Sequence, residues 1–365
     1  MPHDILLVHA ARRTLKPIRV NGIWEDDDET FVIFEAPRLD MSLARLCARL
    51  PGGTVAVNGR QRMSHTPSSP QPSSGPSPEP AALLSELRDS AVERLARAGV
   101  PTPDVDAELL LGHVAGLGRG ELQAAFITGR RAAPEAATAL DTLLERRAAR
   151  EPLQHILGVA WFRSLELRVG PGVFVPRPET EGVVQIAIDA LRQVPTPEPV
   201  AVDLGTGSGA IALAMATEVP NAHVHAVEAS VDAFIWAREN FAAIGADNAR
   251  LVFDDMGRAL PELDGTVDVV ISNPPYVPDD AIPRDPEVRL FDPAMALYGG
   301  PDGLDLVRSL ERTAHRLLRE GGLLVIEHGE LQGADIRAIL TEQGWRAAAT
   351  HVDLTLRDRT TTAVR

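Results

Sequence analysis

Cysteine is almost missing from this chain of 365 residues, where Cys47 stands alone. A lone thiol builds neither an internal disulfide nor a thiolate metal cluster. A disulfide-stapled secreted scaffold and a zinc ribbon are therefore excluded, and a reducing cytoplasm fits. No apolar run approaches the roughly 20 residues that cross a bilayer. The short apolar stretch 5–8 has its arginines behind it rather than ahead, unlike a secretory leader. The chain is expected to be neither exported nor membrane-spanning. Positive charge is in deficit too: 36 Lys and Arg face 51 Asp and Glu, for a net charge of −15, and aromatics make up 4%. A basic surface laced with aromatics, by which proteins coat nucleic acid, is thus lacking. What the chain does hold is 44% apolar residues, over a length that allows two domains with appendages.

Residues 65–80 are dominated by proline and serine, which neither build a helix nor bury apolar surface, and predict an extended linker. Ahead of it, residues 1–64 carry eight acids and nine bases, so the negative charge belongs to the rest of the chain. An alternating stretch at 30–35 and an amphipathic run at 42–50 predict a hairpin and a helix in this extension, to which no chemistry attaches. Met63, just before the linker, offers an alternative start of translation. Residues 81–150 read as about four helices: Leu84, Leu87, Ala91 and Leu95 share a face, and Thr102 and Pro103 open a second helix as cap and first-turn residue. Over 151–180 the period becomes two, at Leu165, Leu167 and Val169, with a turn at Gly170 and Gly172. A hairpin linking two domains is expected there. Over 181–365 helical stretches alternate with apolar runs at 200–204, 224–227, 251–253, 267–271 and 323–326, the pattern of a parallel sheet with helices on both faces. Two last runs, 347–354 and 360–364, predict an antiparallel hairpin that closes the sheet.

Two motifs carry chemistry. Between the first of these strands and a helix expected to begin near Ala210 lies Asp203-Leu-Gly205-Thr206-Gly207-Ser208-Gly209, whose glycines let the backbone turn sharply and approach a nucleotide-like ligand. The Gly-x-Gly-x-Gly spacing differs from that of dinucleotide binders, and Glu228 ends the next strand, where an acid takes both hydroxyls of a ribose. The second motif, Asn273-Pro274-Pro275-Tyr276, comes directly after the apolar run 267–271, at the strand end where open α/β sheets bind ligands. Consecutive prolines stiffen the backbone. The Asn273 carboxamide oxygen and the Pro274 carbonyl can then accept both hydrogens of a planar NH2 group, with Tyr276 as a flat wall.

With these motifs the chain resembles the S-adenosylmethionine-dependent methyltransferases that act on planar nitrogens. Three further stretches resemble the branch of protein-(glutamine-N5) methyltransferases that modify peptide chain release factors: residues 151–158, the Pro-Arg-Pro-Glu-Thr-Glu loop within 172–181, and 302–305 with Gly321 and Gly322. The loop separates that branch from the glutamine methyltransferases of a large-subunit ribosomal protein, whose loop usually reads Pro-Arg-Ser-Pro. The resemblance covers about residues 81–365. It implies a Rossmann-like seven-stranded class I methyltransferase sheet, preceded by a small helical domain that docks the release factor. It further implies S-adenosylmethionine as cofactor, with its methionine part at Gly205, Thr206, Gly207, Ser208 and Gly209, its ribose on Glu228, and its adenine flanked by Asp255 and Met256. The substrate glutamine would lie against Asn273, Pro274, Pro275 and Tyr276, and Phe174 with residues 177–180 would wall the pocket. Met256 departs from the family, which often has an aromatic there, and residues 1–80 match nothing in it. Methylation of adenine amino groups in DNA or RNA stays open as an alternative, since the acceptor geometry suits that nitrogen equally. So do the ribosomal-protein glutamine and a non-catalytic module that has kept the nucleotide cradle. No direct contact with nucleic acid or membrane, no metal and no dedicated general base is expected, and His328 is read as structural.

Overall fold

The computed structural model describes residues 82–365, together with the backbone of three strands nearer the start. It divides into the units Met1–Pro78 and Glu79–Arg365. In the first unit β1 (Ile5–His9), β2 (Gly22–Asp26) and β3 (Glu29–Glu35) form an antiparallel sheet in the order β1-β3-β2. The hairpin expected at 30–35 is therefore present as β2 and β3. The helix expected at 42–50, the linker at 65–80 and Met63 lie outside the described residues.

The second unit opens with four helices, α1 (Leu84–Arg97), α2 (Pro103–Ala115), α3 (Arg119–Thr128) and α4 (Pro134–Ala148). They bury Leu84, Leu95, Leu110, Leu111, Leu122 and Leu140 against one another, each such side chain contributing about 1.5–3 kcal/mol relative to exposure. Pro103 stands in the first turn of α2 as expected, but the Thr102 hydroxyl caps nothing. It donates to Asp106 Oδ1 at 3.0 Å, and Asp106 in turn holds the buried Arg147.

A short helix α5 (Leu153–Leu157) leads into the hairpin β4 (Val159–Phe162) and β5 (Leu165–Arg168). The turn expected at Gly170 and Gly172 is present just after β5, where the Val173 N–H donates to the Gly170 carbonyl at 3.4 Å, and the hairpin's own turn falls earlier, at Arg163, before the alternating run. The reason is tertiary: Arg163 donates to Glu218, Gln185 and the Glu181 carbonyl, while its own N–H is taken by Glu181 Oε1. Gly170 also makes room for Trp236, whose ring would lie 2.4 Å from a Cβ there.

After α6 (Pro178–Gln193) the main sheet is built from β6 (Val200–Leu204), α7 (Ala210–Glu218), β7 (His223–Glu228), α8 (Val231–Ile244), β8 (Ala249–Phe253) and β9 (Val267–Ser272). Two short helices, α9 (Pro286–Phe291) and α10 (Ala294–Leu297), precede α11 (Asp305–Leu317), β10 (Leu318–Glu327), α12 (Gly333–Glu342), β11 (Arg346–Val352) and β12 (Asp358–Val364). The seven strands run in the order β11-β12-β10-β9-β6-β7-β8, with β12 antiparallel to both neighbours and the others parallel. Side chains alternate between the faces. Ala201, Val224, Val269 and Ile271 meet α6 and α7, whereas Val202, Leu204, Val270 and Ile326 meet α11 and α12. From β6 the chain winds outward to β7 and β8, then returns to the other side of β6 with β9. The crevice between the carboxyl ends of β6 and β9 is therefore the switch point where α/β sheets take ligands. No described helix is long and apolar enough to cross a membrane.

Candidate active site

The register brings the two motifs side by side: Asp203 pairs with Ile271 across β6 and β9, and Leu204 with Val227 across β6 and β7. The loop 205–209 is tied to β7 by the N–H groups of Gly205 and Thr206, both donating to the Val227 carbonyl at 2.9 Å. At Gly209 (φ +88°) the chain passes so close to α8 that a Cβ would meet the Phe241 ring at 2.9 Å, whereas nothing lies within 4 Å of a Cβ at Gly207 (φ +59°). One glycine serves packing and the other leaves open space beside the backbone. Ser208 is buried, and its carbonyl accepts from Asn240 Nδ2 at 2.9 Å. Asn240, 1% exposed, also exchanges two hydrogen bonds with the backbone of Arg168, so this one amide on α8 fastens the loop to β5.

Glu228 is buried at the end of β7, where Oε2 accepts from Gly207 N–H and Oε1 from Ser230 N–H, both at 2.8 Å. Burial pushes its carboxyl above the ordinary range, and these backbone donors pull it back. Met256 reaches the loop from beyond β8, its Cε 3.6 Å from a Cβ placed on Gly205. Asp255 beside it is exposed and spends Oδ1 on the Gly257 N–H at 2.8 Å.

Across the crevice, Ser272 anchors the start of the second motif by donating to the Leu204 carbonyl at 2.5 Å. The carbonyls of Pro275 and Tyr276 face the protein: a Cβ at Gly299 would come within 2.4 Å of the first, and one at Gly303 within 2.3 Å of the second. Among the described residues no N–H or O–H donates to the Asn273 carboxamide or the Pro274 carbonyl. The Tyr276 side chain is deeply set, and burial first, then the Glu327 carboxylate, holds its hydroxyl above the usual range against the opposing Arg359 and Arg177. Glu327 ends β10 with Oε2 unpartnered and is pushed up to about 7, mainly by burial. The Pro-Arg-Pro-Glu-Thr-Glu loop lies alongside. Thr180 is buried, the Arg177 guanidinium stacks 4.9 Å from the Phe174 ring centre, and it donates to Asp292 at 2.8 Å. His328 has no freedom for acid–base work. Its Nδ1 meets the Gly329 carbonyl and its Nε2 the Thr361 hydroxyl, both at 2.8 Å, so Nδ1 carries the proton.

The residues fit an adenosyl sulfonium ligand. Open space beside Gly207 admits it, and Asp203, fully buried, keeps Oδ1 unpartnered beside the loop. A carboxyl so placed, pushed up to about 7 chiefly by burial, suits a cationic neighbour. No group of His, Cys, Asp and Glu able to hold a metal occurs among the described residues. Sequence reasoning missed Asn240 and the lone oxygen of Asp203 as site residues. Asn240 left one signal, a polar residue on the buried stripe of Ala233 and Ala237.

A seven-stranded sheet in this order, with an antiparallel strand inserted next to one edge and its crevice between β6 and β9, is the architecture of the class I methyltransferases. Residues 86–158 match the family described as PrmC N-terminal domain, and residues 165–297 that described as Methyltransferase small domain. The release factor glutamine methyltransferase of Streptomyces coelicolor is 53% identical over 285 residues, 77% of this chain and 97% of the relative. The chain belongs to the release factor glutamine methyltransferase family. A Streptomyces pristinaespiralis protein named 4-amino-L-phenylalanine/4-methylamino-L-phenylalanine methyltransferase is 39% identical, over 78% of this chain and 96% of its own length. The solved release factor-specific protein-(glutamine-N5) methyltransferase of Alicyclobacillus acidocaldarius is 27% identical, over 54% of this chain and 98% of that one, with a TM-score of 0.33.

Proposed function

We propose that this protein methylates the side-chain amide nitrogen of the glutamine in the Gly-Gly-Gln motif of class I peptide chain release factors, in the cytoplasm, with S-adenosylmethionine as cofactor. The observation that supports the reading is the pair of oxygens, on the Asn273 side chain and the Pro274 carbonyl, that no described donor claims, in the turn directly after β9, the strand paired with β6 and its glycine loop.

When bound, S-adenosylmethionine supplies an electrophilic methyl group on a sulfonium. The backbone of Gly205, Thr206, Gly207, Ser208 and Gly209 would receive its methionine end, Glu228 would accept from the ribose, and Asp255 and Met256 would flank the adenine. A primary amide nitrogen is a poor nucleophile, since its lone pair is shared with the carbonyl. Asn273 and Pro274 hold both of its hydrogens and stabilise the positive charge that builds on nitrogen more than they stabilise the ground state. Pro275 keeps the turn stiff and Tyr276 walls the amide plane. Holding the amide nitrogen in place for transfer would supply at best roughly 7–11 kcal/mol. The proton leaves to solvent after transfer, so no side chain serves as a dedicated base.

The test is mass spectrometry of purified release factor after incubation with enzyme and S-adenosylmethionine. One added methyl on the Gly-Gly-Gln glutamine is expected, and Asn273→Ala should abolish it while calorimetric cofactor binding survives. The Streptomyces pristinaespiralis relative favours a second reading, a small arylamine substrate, whose nitrogen is planar like that of an amide. Release factor left unmethylated beside a methylated arylamine would decide for it.

A further inference from the structure

The turn that presents the acceptor oxygens cannot fasten itself. Pro274 and Pro275 have no N–H, and the free carbonyl of Pro274 is already assigned to substrate, so the direction of these oxygens depends on anchors at either end. Ser272 is the upstream anchor. For the downstream end we infer that Gln332 is a positioning residue for methyl transfer, its side-chain amide clasping the Tyr276 carbonyl and thereby aiming the oxygens of Asn273 and Pro274. This rests on the proposed role of those oxygens as acceptors for the substrate amide.

Gln332 stands half-buried at the N-cap of α12 with both ends of its amide engaged. Oε1 accepts from the Gly329 N–H at 2.9 Å and closes the turn after β10. Nε2 donates to the Tyr276 carbonyl at 2.9 Å and lies 3.5 Å from the Gly303 carbonyl. One planar group thus joins three segments: the turn after β10, the Asn-Pro-Pro-Tyr turn and the glycine-rich loop beside it. A carboxamide has a donor at one end and an acceptor at the other, which the two partners require. Nearby side chains offer no substitute, since the His328 ring is held by Gly329 and Thr361, and the Arg359 guanidinium by Asp353 and the His328 carbonyl. The next residue, Val277, is fixed by backbone bonds, its N–H donating to the Leu297 carbonyl at 2.8 Å and its carbonyl accepting from the Gly299 N–H at 2.9 Å, so what the clasp sets is the Tyr276 carbonyl between that fixed point and the prolines. Two locked proline φ angles lie between Tyr276 and Asn273, so a shift at Tyr276 is transmitted along the turn instead of being absorbed.

Two variants separate this role from simple packing. Gln332→Met keeps the length and removes both polar ends. Gln332→Glu keeps the acceptor for Gly329 but turns a second oxygen toward the Tyr276 carbonyl, until protonation makes it a donor. At saturating cofactor and release factor, Gln332→Met should lower kcat by about tenfold to a hundredfold, the scale on which about 1 Å of misplacement slows a positioned reaction. Cofactor KM and calorimetric Kd should stay within about twofold, which identifies an interaction felt in the transition state. Gln332→Glu should be equally slow near neutral pH, and its kcat relative to wild type at the same pH should recover as the medium is acidified. If Gln332→Met does not fold, the isosteric Gln332→Glu carries the test alone. A wild-type kcat, a cofactor Kd that worsens in step with kcat, or no recovery of Gln332→Glu in acid would overturn the inference. Asn273→Ala in the same assay separates the two levels. If that variant keeps its turnover, the acceptor reading itself fails. If it is inactive while the Gln332 variants are normal, only the clasp is lost.

Discussion

Arg147 of the helical region and Glu287 on α9, in the segment after the Asn-Pro-Pro-Tyr turn, meet at 2.7 Å with their side chains 5% and 15% exposed. Arg147 also donates to Asp106 Oδ2 at 2.6 Å and to the Glu151 carbonyl at 3.0 Å, and Arg150 reaches the same Glu287 oxygen at 3.0 Å. The four-helix region is thereby bolted to the chain that leaves the β6–β9 crevice. Glu287→Ala should cost about 1–3 kcal/mol in denaturant unfolding, and Asp106→Ala about 3–5 kcal/mol, because Asp106 is the more deeply buried of the two partners of Arg147 and its loss also leaves the Thr102 hydroxyl without an acceptor. If the helices dock the release factor, Glu287→Ala also raises KM for that substrate and spares KM for the cofactor. Unchanged stability together with unchanged KM would show the bolt to be idle.

Glu228 supports a second prediction. Hydrogen bonds to a charged group contribute about 1.5–3 kcal/mol, so Glu228→Ala should weaken cofactor binding roughly tenfold to a hundredfold in calorimetry. The same variant should leave release factor affinity alone, and a loss confined to that affinity would mean the ribose has been put in the wrong place.

Two glycines make a matched pair. Gly303 has φ +74° and lies where a Cβ would press within 2.3 Å of the Tyr276 carbonyl, whereas Gly182, inside α6, has nothing within 4 Å. Gly303→Ala should therefore displace the acceptor turn and abolish most turnover, while Gly182→Ala should raise stability by about 0.5–1 kcal/mol and leave turnover intact. Equal turnover in the two variants would refute the close approach.

Acidity provides the fourth. Burial pushes Asp203 and Glu327 up to about 7 and Asp292 up to about 6. A carboxyl that binds its proton more tightly when folded confers stability that is complete below the ordinary carboxylate range and is lost as the pH rises through the folded value. Their joint contribution should fall between about pH 4 and about pH 7. Asp302 and Asp353, held down to about 2 by the Arg308 and Thr355 side chains respectively, act with the opposite sign and in a more acidic window. Glu327→Gln should flatten the decline by up to about 1.4 kcal/mol per pH unit, read from urea midpoints across that range. Parallel curves for variant and parent would remove Glu327 as a source.

Much of this arrangement was legible in the amino-acid sequence. The run at 200–204 is β6 itself, and the helix expected near Ala210 starts there, because strand and glycine turn are local in the chain. β10 is longer than the apolar run 323–326 disclosed, since its first residue, Leu318, pairs with Val267 across a register shift. The polar clasps were not legible. Asn240 finds Arg168 at 72 positions' distance, Gln332 finds Tyr276 at 56, and Arg150 finds Glu287 at 137. No periodicity encodes such meetings, which exist only after the sheet has set the distances.

The place of β12 governs the order in which this sheet can be finished. It lies between β10 and β11, so β11 joins the sheet only through a strand made after it. A nascent chain halted before Asp358 carries β10 with an open edge, a template for pairing with a stranger's strand. It also lacks the Arg359 cation near Tyr276. Only β12 covers that edge of β10 and gives β11 a place in the sheet, so chaperone demand should be greatest before it is in place.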